Sequence, residues 1–554
     1  MDHFDKYGKL PEWKMDSREW PAASLQKAPV WCSVDLRDGN QALEEPMVTE
    51  EKVEFFRLLV KLGFQEIEVG SPASSQTDYD FMRQLIDRSL IPSGVAVQIV
   101  TKAAESQINR NFDAVTGADQ VIFRLSIPVS PLLVRAESAE EKAALVKDAV
   151  NGAKLILAKK TESAASVRLE LSLKGFNTAD PAFALELAEA VCEAWGPDAQ
   201  NPVIINLSET AEHTSPNRFA DQVEWFGTHL KNRAHVILSV YCHNDRGTAV
   251  AASELAMLAG ADRVEGSLFG NGERCGNTDL LNLAYNLFSE GIDPGLRLEK
   301  LPEITESYEN LMKLPVDVRK PYAGRYAFTA FTEEAQAAVA AGIAGAETAK
   351  GTWRTPYLIV DPADLGREYE PFVRVNGKSG KSSVAFIMSS YFGFQLPKGM
   401  NQEFADIVEE TAASRAETSP EQIMQIFRKA YLDRKEPLHF RRCRVEDLTD
   451  SDDMFDTHIL LTYTDRGVEK QFEAVGSGPL DAVIRGMNDD MNIHMRILGY
   501  TEHALQEGGN AQAASYIHMM DMDSKKATYG VGISSNITRA SLRAIFSAVN
   551  RLRD

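Results

Sequence analysis

A TIM (β/α)₈ barrel, followed by a helical linker region and a C-terminal α+β regulatory-type domain, is the fold class this chain predicts. Three observations predict it. From about residue 30 to 290, eight short apolar runs alternate with amphipathic stretches of helical period, the rhythm of parallel strands that each return through a helix. Residues able to do chemistry gather at strand ends, Arg37-Asp38 after the first run and His243 after the seventh, which is where barrels build their sites. After about residue 437 the texture changes to alternating strands followed by helices.

The eight strands are expected at 30–34, 66–69, 95–100, 120–125, 166–171, 203–206, 236–240 and 262–265. Helical spacing fills 51–62 and 182–195, the latter opened by Pro181 with its preset φ. A doubly wound sheet is the rival architecture, but no phosphate-binding glycine loop follows the first strand. Residues 295–430 read as mostly helical, with an Ala-rich stretch at 333–349 and a basic Gly/Ser turn at 377–381. Strands follow at 458–463 and 470–474, then a helix near 480–489. A Gly/Ser turn at 530–535 leads into a last helix from Thr538. The domains are therefore drawn as an N-terminal extension (1–29), a catalytic barrel (30–294), a helical linker (295–435) and a C-terminal domain (436–554).

Composition sets the bounds. The 554 residues, 44% hydrophobic and 25% charged, suit two or three globular domains. A net charge of -21 without a basic stripe argues against nucleic acid. No apolar run reaches about 18 residues, so no membrane span is expected. The start has no basic segment leading into an apolar one, and the five cysteines are scattered with no CxxC pair. The expectation is a cytoplasmic protein without disulfides or structural zinc.

The strand-end residues suggest a reaction type. Asp38 offers a hard carboxylate for a divalent cation, and Arg37 a planar fork for a carboxylate or a developing enolate oxygen. His243 is a candidate metal ligand that Asn244 or Asp245 would orient. After the eighth strand comes the glycine-rich run Glu265-Gly266-Ser267-Leu268-Phe269-Gly270-Asn271-Gly272-Glu273-Arg274-Cys275-Gly276-Asn277. Around Gly270, Asn271 and Gly272 its backbone amides would cradle the phosphates of a nucleotide-bearing carrier, or else form only a tight loop.

These strings resemble the α-isopropylmalate synthases of the longer subfamily, within the barrel metallolyases that include homocitrate and citramalate synthases. The resemblance runs nearly end to end. It takes in Trp31-Cys32-Ser33-Val34-Asp35-Leu36-Arg37-Asp38-Gly39-Asn40-Gln41, Glu66-Ile67-Glu68-Val69-Gly70 and His243-Asn244-Asp245-Arg246-Gly247-Thr248. Ala259-Gly260-Ala261-Asp262-Arg263-Val264-Glu265-Gly266, Pro356-Tyr357-Leu358 and Gly530-Val531-Gly532-Ile533 extend it. It implies condensation of acetyl-CoA, or another acyl-CoA, with a 2-oxo acid held on Mg²⁺, Mn²⁺ or Zn²⁺. It also implies a homodimer and a C-terminal domain that senses an amino acid such as leucine. Carried over by position, Asp38, His243 and Asn271 match metal-site residues, and Arg37 matches the residue that steadies the oxo oxygen. Ser172 and Thr210 match the substrate pocket, and Tyr357 matches a catalytic tyrosine.

The departures fall on the chemistry. Where the family has His-x-His, this chain has Tyr241-Cys242-His243, so Tyr241 stands at a ligand position. A phenolate there needs a strong local field, because a free tyrosine titrates near pH ~10. Lys174 replaces a glutamate, Ala335 a histidine, and Arg124 and Ser126 a histidine and a tyrosine. Arg124 and Lys174 add two cations to the substrate pocket, which predicts a more anionic 2-oxo acid unless Glu170 or Glu209 neutralises them internally. Lys174 is also a candidate Schiff-base lysine for metal-independent carbon–carbon chemistry. A catalytically silent paralogue that binds or regulates is the rival from another class.

Overall fold

The computed structural model describes residues 6, 13, 15 and 17–553, apart from 135–137, 349–351, 370–380, 413–417, 419, 448–456 and 506–511. Eight parallel strands close in sequence order into a barrel. They are β1 (Val30–Ser33), β2 (Glu66–Gly70), β3 (Ala96–Thr101), β4 (Gln120–Pro128), β5 (Ser166–Lys174), β6 (Val203–Glu209), β7 (Val236–Cys242) and β8 (Arg263–Gly266). β1 closes the ring by pairing with both β2 and β8.

Every expected apolar run is a strand, but β4 to β7 continue two to three residues past it. Ser172 pairs with Asn206 and Lys174 with Ser208, so the ladder carries on where the apolar pattern stops. Those extra residues bring polar side chains to the carboxyl end of the barrel.

Period-two alternation sorts each strand between two environments. Outward residues such as Ile67, Val69, Phe123, Leu169 and Leu171 join the large core beneath the helices. Inward residues form layers. Ala96, Ile122 and Ile204, with Ile237 against them, make a small apolar plug. Above it lie Glu66, Glu68, Gln98, Arg124, Glu170, Asn206, Arg263 and Glu265, all buried.

After β1 the chain turns through a single π-helical turn, Asp35–Gly39, which carries Arg37 and Asp38. Asp35 anchors that turn by accepting from the Ser33 hydroxyl at 2.8 Å and from the Leu268 amide. Burial pushes its carboxyl up to about 7.

The chain divides into two compact units, residues 1–330 with 334–370, and 331–333 with 371–554. Residues 295–435, drawn above as one linker, are thus shared between them. Leu301, Tyr308, Tyr322, Leu358 and Leu365 belong to the barrel's own core. The Ala-rich stretch is the helix Glu333–Thr348.

The second unit holds helices Lys381–Phe392, Lys398–Ala412 and Pro420–Phe427 and two antiparallel three-stranded sheets. β9 (Leu438–Asp447), β10 (Thr457–Asp465) and β11 (Val468–Gly476) form one; β12 (Met495–Ala504), β13 (Ala513–Asp521) and β14 (Ala527–Ser534) form the other. The helix Ile537–Arg553 closes the chain.

The turn expected at 530–535 is instead mostly the end of β14. Its glycines serve a close approach: a Cβ on Gly530 or Gly532 would sit 2.1 or 2.0 Å from a carbonyl oxygen of the last helix. Residues 377–380 of the expected basic turn lie outside the described residues, and Lys381 opens a helix. Among the described residues no helix is long and apolar enough to cross a membrane.

Candidate active site

A cavity of about 580 Å³ opens at the carboxyl end of the barrel strands. Arg37, Asp38, Lys102, Arg124, Lys174, Thr210, Tyr241, His243 and Glu273 line it. The closure of the barrel thus brings together most of the residues singled out in the sequence.

Its floor is an ion-pair network. Arg124 bonds Glu68 at 2.9 Å, Glu265 at 2.7 Å and Glu170 at 3.2 Å, and donates to the Ser172 hydroxyl at 3.2 Å. Arg263 bonds Glu66 at 2.6 Å, Gln98 at 2.7 Å and Glu265. Arg124 spends its guanidinium on carboxylates, Glu170 among them, and Ser172 is held between Arg124 and Asn206 with no exposed surface. Both lie in the floor: Arg124 borders the cavity from below with its charge met by carboxylates, because a buried guanidinium needs its anions close, and Ser172 is not among the lining residues.

Arg37 links floor to mouth, its Nε on Glu68 and its Nη1 3.5 Å from Asp38 Oδ1. Burial works against the charge on Glu68, yet Arg37 and Arg124 hold its carboxyl down at about 2.

The residues around Asp38 fail the test for a divalent cation. Asp38 Oδ2 accepts from the Tyr241 hydroxyl at 2.6 Å and from Asn277 Nδ2 at 3.0 Å. Burial, with Asp38 beside it, pushes the Tyr241 hydroxyl well above its ordinary value, so it stays a donor and is no phenolate ligand. His243 is buried and its Nδ1 has no hydrogen-bond partner. Neither expected orienting residue bonds its ring: Asn244 caps the Ala249 amide, and Asp245 holds Arg274 at 2.7 Å. Among the described residues no group of three or more His, Cys, Asp or Glu side chains is arranged to hold a metal.

The glycine-rich loop is also reassigned. Asn271 donates its side-chain amide to the Gly39 carbonyl at 2.9 Å, and it is Asn277 that reaches Asp38. Of the three residues expected to cradle phosphate, Gly270 spends its amide on the Ser267 carbonyl, and none of Gly270, Asn271 and Gly272 is among the residues lining this cavity. Gly272 is small because a Cβ there would stand 2.5 Å from Asp38 Oδ2. The loop is packed onto Asp38. Nothing in its spacing marks Asn277 in the sequence; barrel closure alone sets it beside Asp38.

Lys174 ends β5 in the lining, exposed. Desolvation, then Arg124 and Arg37, lowers its ammonium from the ordinary lysine value. Thr210 lines the cavity and accepts from the Gly175 amide at 2.9 Å. Tyr357 is 71% exposed and is not among the residues lining this cavity.

In the second unit, a cavity of about 450 Å³ is lined by Arg428, Lys435, His439, Arg441, Arg539 and Arg543 over apolar Leu438, Phe440, Val531 and Phe546. Near the starts of two helices in this unit, Asp481 takes the Ser477 amide and Asn536 takes the Arg539 amide.

Comparison with known proteins agrees with this architecture. Residues 28–307 match a family model described as HMGL-like. Residues 326–389 match the α-isopropylmalate synthase post-catalytic domain, and 417–553 match the LeuA allosteric (dimerisation) domain. The chain is 43% identical to the 2-isopropylmalate synthase of Clostridium acetobutylicum over 554 residues, covering 99% of both chains. It is 42% identical to that of Rhodospirillum rubrum over 560 residues, covering 100% of both, and 41% identical to that of Ralstonia nicotianae, covering 99% of this chain and 94% of that one.

Proposed function

The chain belongs to the 2-isopropylmalate synthase family, and on that premise we propose that it condenses acetyl-CoA with a 2-oxo acid more anionic than a branched monocarboxylic one. In this reaction the thioester methyl loses a proton and bonds to C2 of the oxo acid. The carbonyl becomes an alkoxide and then a hydroxyl, and water cleaves the thioester to free the thiol.

One observation carries the choice of substrate. Lys102 and Lys174 line the mouth and form no ion pair among the described residues. Lys174 also stands against the like charges of Arg124 and Arg37, an arrangement that is unfavourable until an anion arrives. Arg124, counted above as part of that anion site, is neutralised from below, so the two lysines and the outer edge of Arg37 supply it. Arg37 and Lys174 bind the oxo-acid head, and Thr210 borders it. The family resemblance implies a divalent cation, but the groups around Asp38 are donors and do not fit one.

The test is thiol release from acetyl-CoA against mono- and dicarboxylic 2-oxo acids. A dicarboxylic acid is expected to show the higher kcat/KM. Turnover with none of them would overturn the reading in favour of a catalytically silent binding protein, the rival that the lost imidazole supports.

The match of 417–553 to a dimerisation domain supports a homodimer. The cationic cavity beside β14 supports capture of a small amino acid through its carboxylate. A thermal shift of the full chain with leucine or another amino acid is the expected sign, and Arg441→Glu should abolish it.

A further inference from the structure

We infer that this chain holds its 2-oxo acid without a divalent metal ion, on the fixed cations Arg37 and Lys174, with the Tyr241 hydroxyl closing the place at Asp38 that a cation would need. This rests on the reading above that the barrel mouth takes a 2-oxo acid.

A dication requires several lone pairs converging on one point. Here the groups aimed at Asp38 are donors: Tyr241 Oη at 2.6 Å, Asn277 Nδ2 at 3.0 Å and Arg37 Nη1 at 3.5 Å. Asn277 is held in that sense, because its Oδ1 accepts from both the amide and the hydroxyl of Ser267, each at 2.9 Å. Turning the amide to offer oxygen would break both bonds. Gly272 packs against the same oxygen, its α-carbon so near that a Cβ would stand 2.5 Å from Asp38 Oδ2.

A ring of donors around one carboxylate, beneath cations, suits an anion. As the enolate carbon attacks C2, the carbonyl π electrons move onto oxygen. The Lys174 ammonium gives that oxygen its proton, and the resulting amine regains one from solvent. Tyr241 is a positioning residue in this scheme: it acts through Asp38, which in turn faces Arg37.

The experiment uses the full-length protein. Metal content is measured by mass spectrometry, Mn²⁺ and Zn²⁺ are titrated by calorimetry, and thiol release is followed before and after chelation. The expected results are substoichiometric metal, no saturable Mn²⁺ binding and turnover unchanged by chelator. Tyr241→His, which restores a second imidazole, is expected to show saturable Mn²⁺ binding where the unaltered chain shows none. Lys174→Met is expected to lower kcat by ~10²–10³-fold, with partial recovery in Lys174→Arg. Stoichiometric metal, activity lost to chelator and restored by Mn²⁺, or no gain of binding in Tyr241→His would each overturn the inference. Absence of turnover would overturn the function while metal content and titration still decide this point.

Discussion

Two successive layers of the same barrel treat charge in opposite ways. In the middle layer Glu66, Glu68 and Glu265 are met by Arg124 and Arg263, with Arg37 above and Arg168 below, while Glu170 lies 3.2 Å from Arg124 without a hydrogen bond and burial pushes its carboxyl well up. At the mouth, Lys102 and Lys174 face the cavity without an ion pair among the described residues. The sequence presents both as charged residues on strands. The difference teaches that a charge with its counter-charge already in place is part of the scaffold, while a polar atom left waiting at an open end is available to a ligand.

The sharpest way to break this comparison is to remove a cation from the closed layer. Arg263→Leu leaves Glu66 and Glu265 buried with fewer partners. The expected cost is about 3–5 kcal/mol of unfolding free energy, read by denaturant titration. A loss below about 1 kcal/mol would mean that the layer tolerates uncompensated charge.

The outward face at the end of β6 gives a pH-dependent effect. Glu209 ends β6, fully buried, accepting from Asn177 and Thr214 at 2.9 Å each. Burial pushes its carboxyl up to about 8 from 4.5, against those bonds and with Glu212 adding to the rise. The folded chain therefore keeps a proton that the unfolded chain releases between those values, so this group makes stability fall as pH rises through that window. The slope is at most about 1.4 kcal/mol per pH unit. Glu209→Gln is expected to flatten that part of a stability-versus-pH curve; an unchanged slope would assign it to other groups.

The least effect on stability is expected at the mouth. Lys174→Met should change unfolding free energy by no more than about 0.5 kcal/mol, since no ion pair among the described residues is lost. Paired with the large kinetic effect expected of the same substitution, that result would separate ligand-facing from structural charge. A loss comparable to that of Arg263→Leu would place Lys174 in the scaffold.

The architecture was legible because it depends on local pattern. Alternating β and α periods, strand-end Arg37-Asp38 and His243, and the change of texture near residue 437 each involve neighbours in sequence. Where local pattern misled, packing was the reason. Gly530 and Gly532 read as a turn because glycine breaks pattern, yet they lie in β14 to let the last helix approach. The strands stopped short in the reading because Ser172 and Lys174 are polar, yet their ladder to β6 continues.

What the sequence by itself determined is the barrel, its strand order, the separate C-terminal domain, the family and the positions at which this chain departs from it. Only tertiary structure decided what those departures do. Tyr241 and Asp38 are 203 residues apart when they share a hydrogen bond, Asn277 and Asp38 239 apart, and Arg124 and Glu265 141 apart. A one-dimensional pattern shows that a charge is present but not which group answers it, because Coulomb and hydrogen-bond energies depend on distance in space, and barrel closure sets that distance. Arg124 and Lys174 looked alike as added cations; closure gave three carboxylates to the first and left the second at the open end.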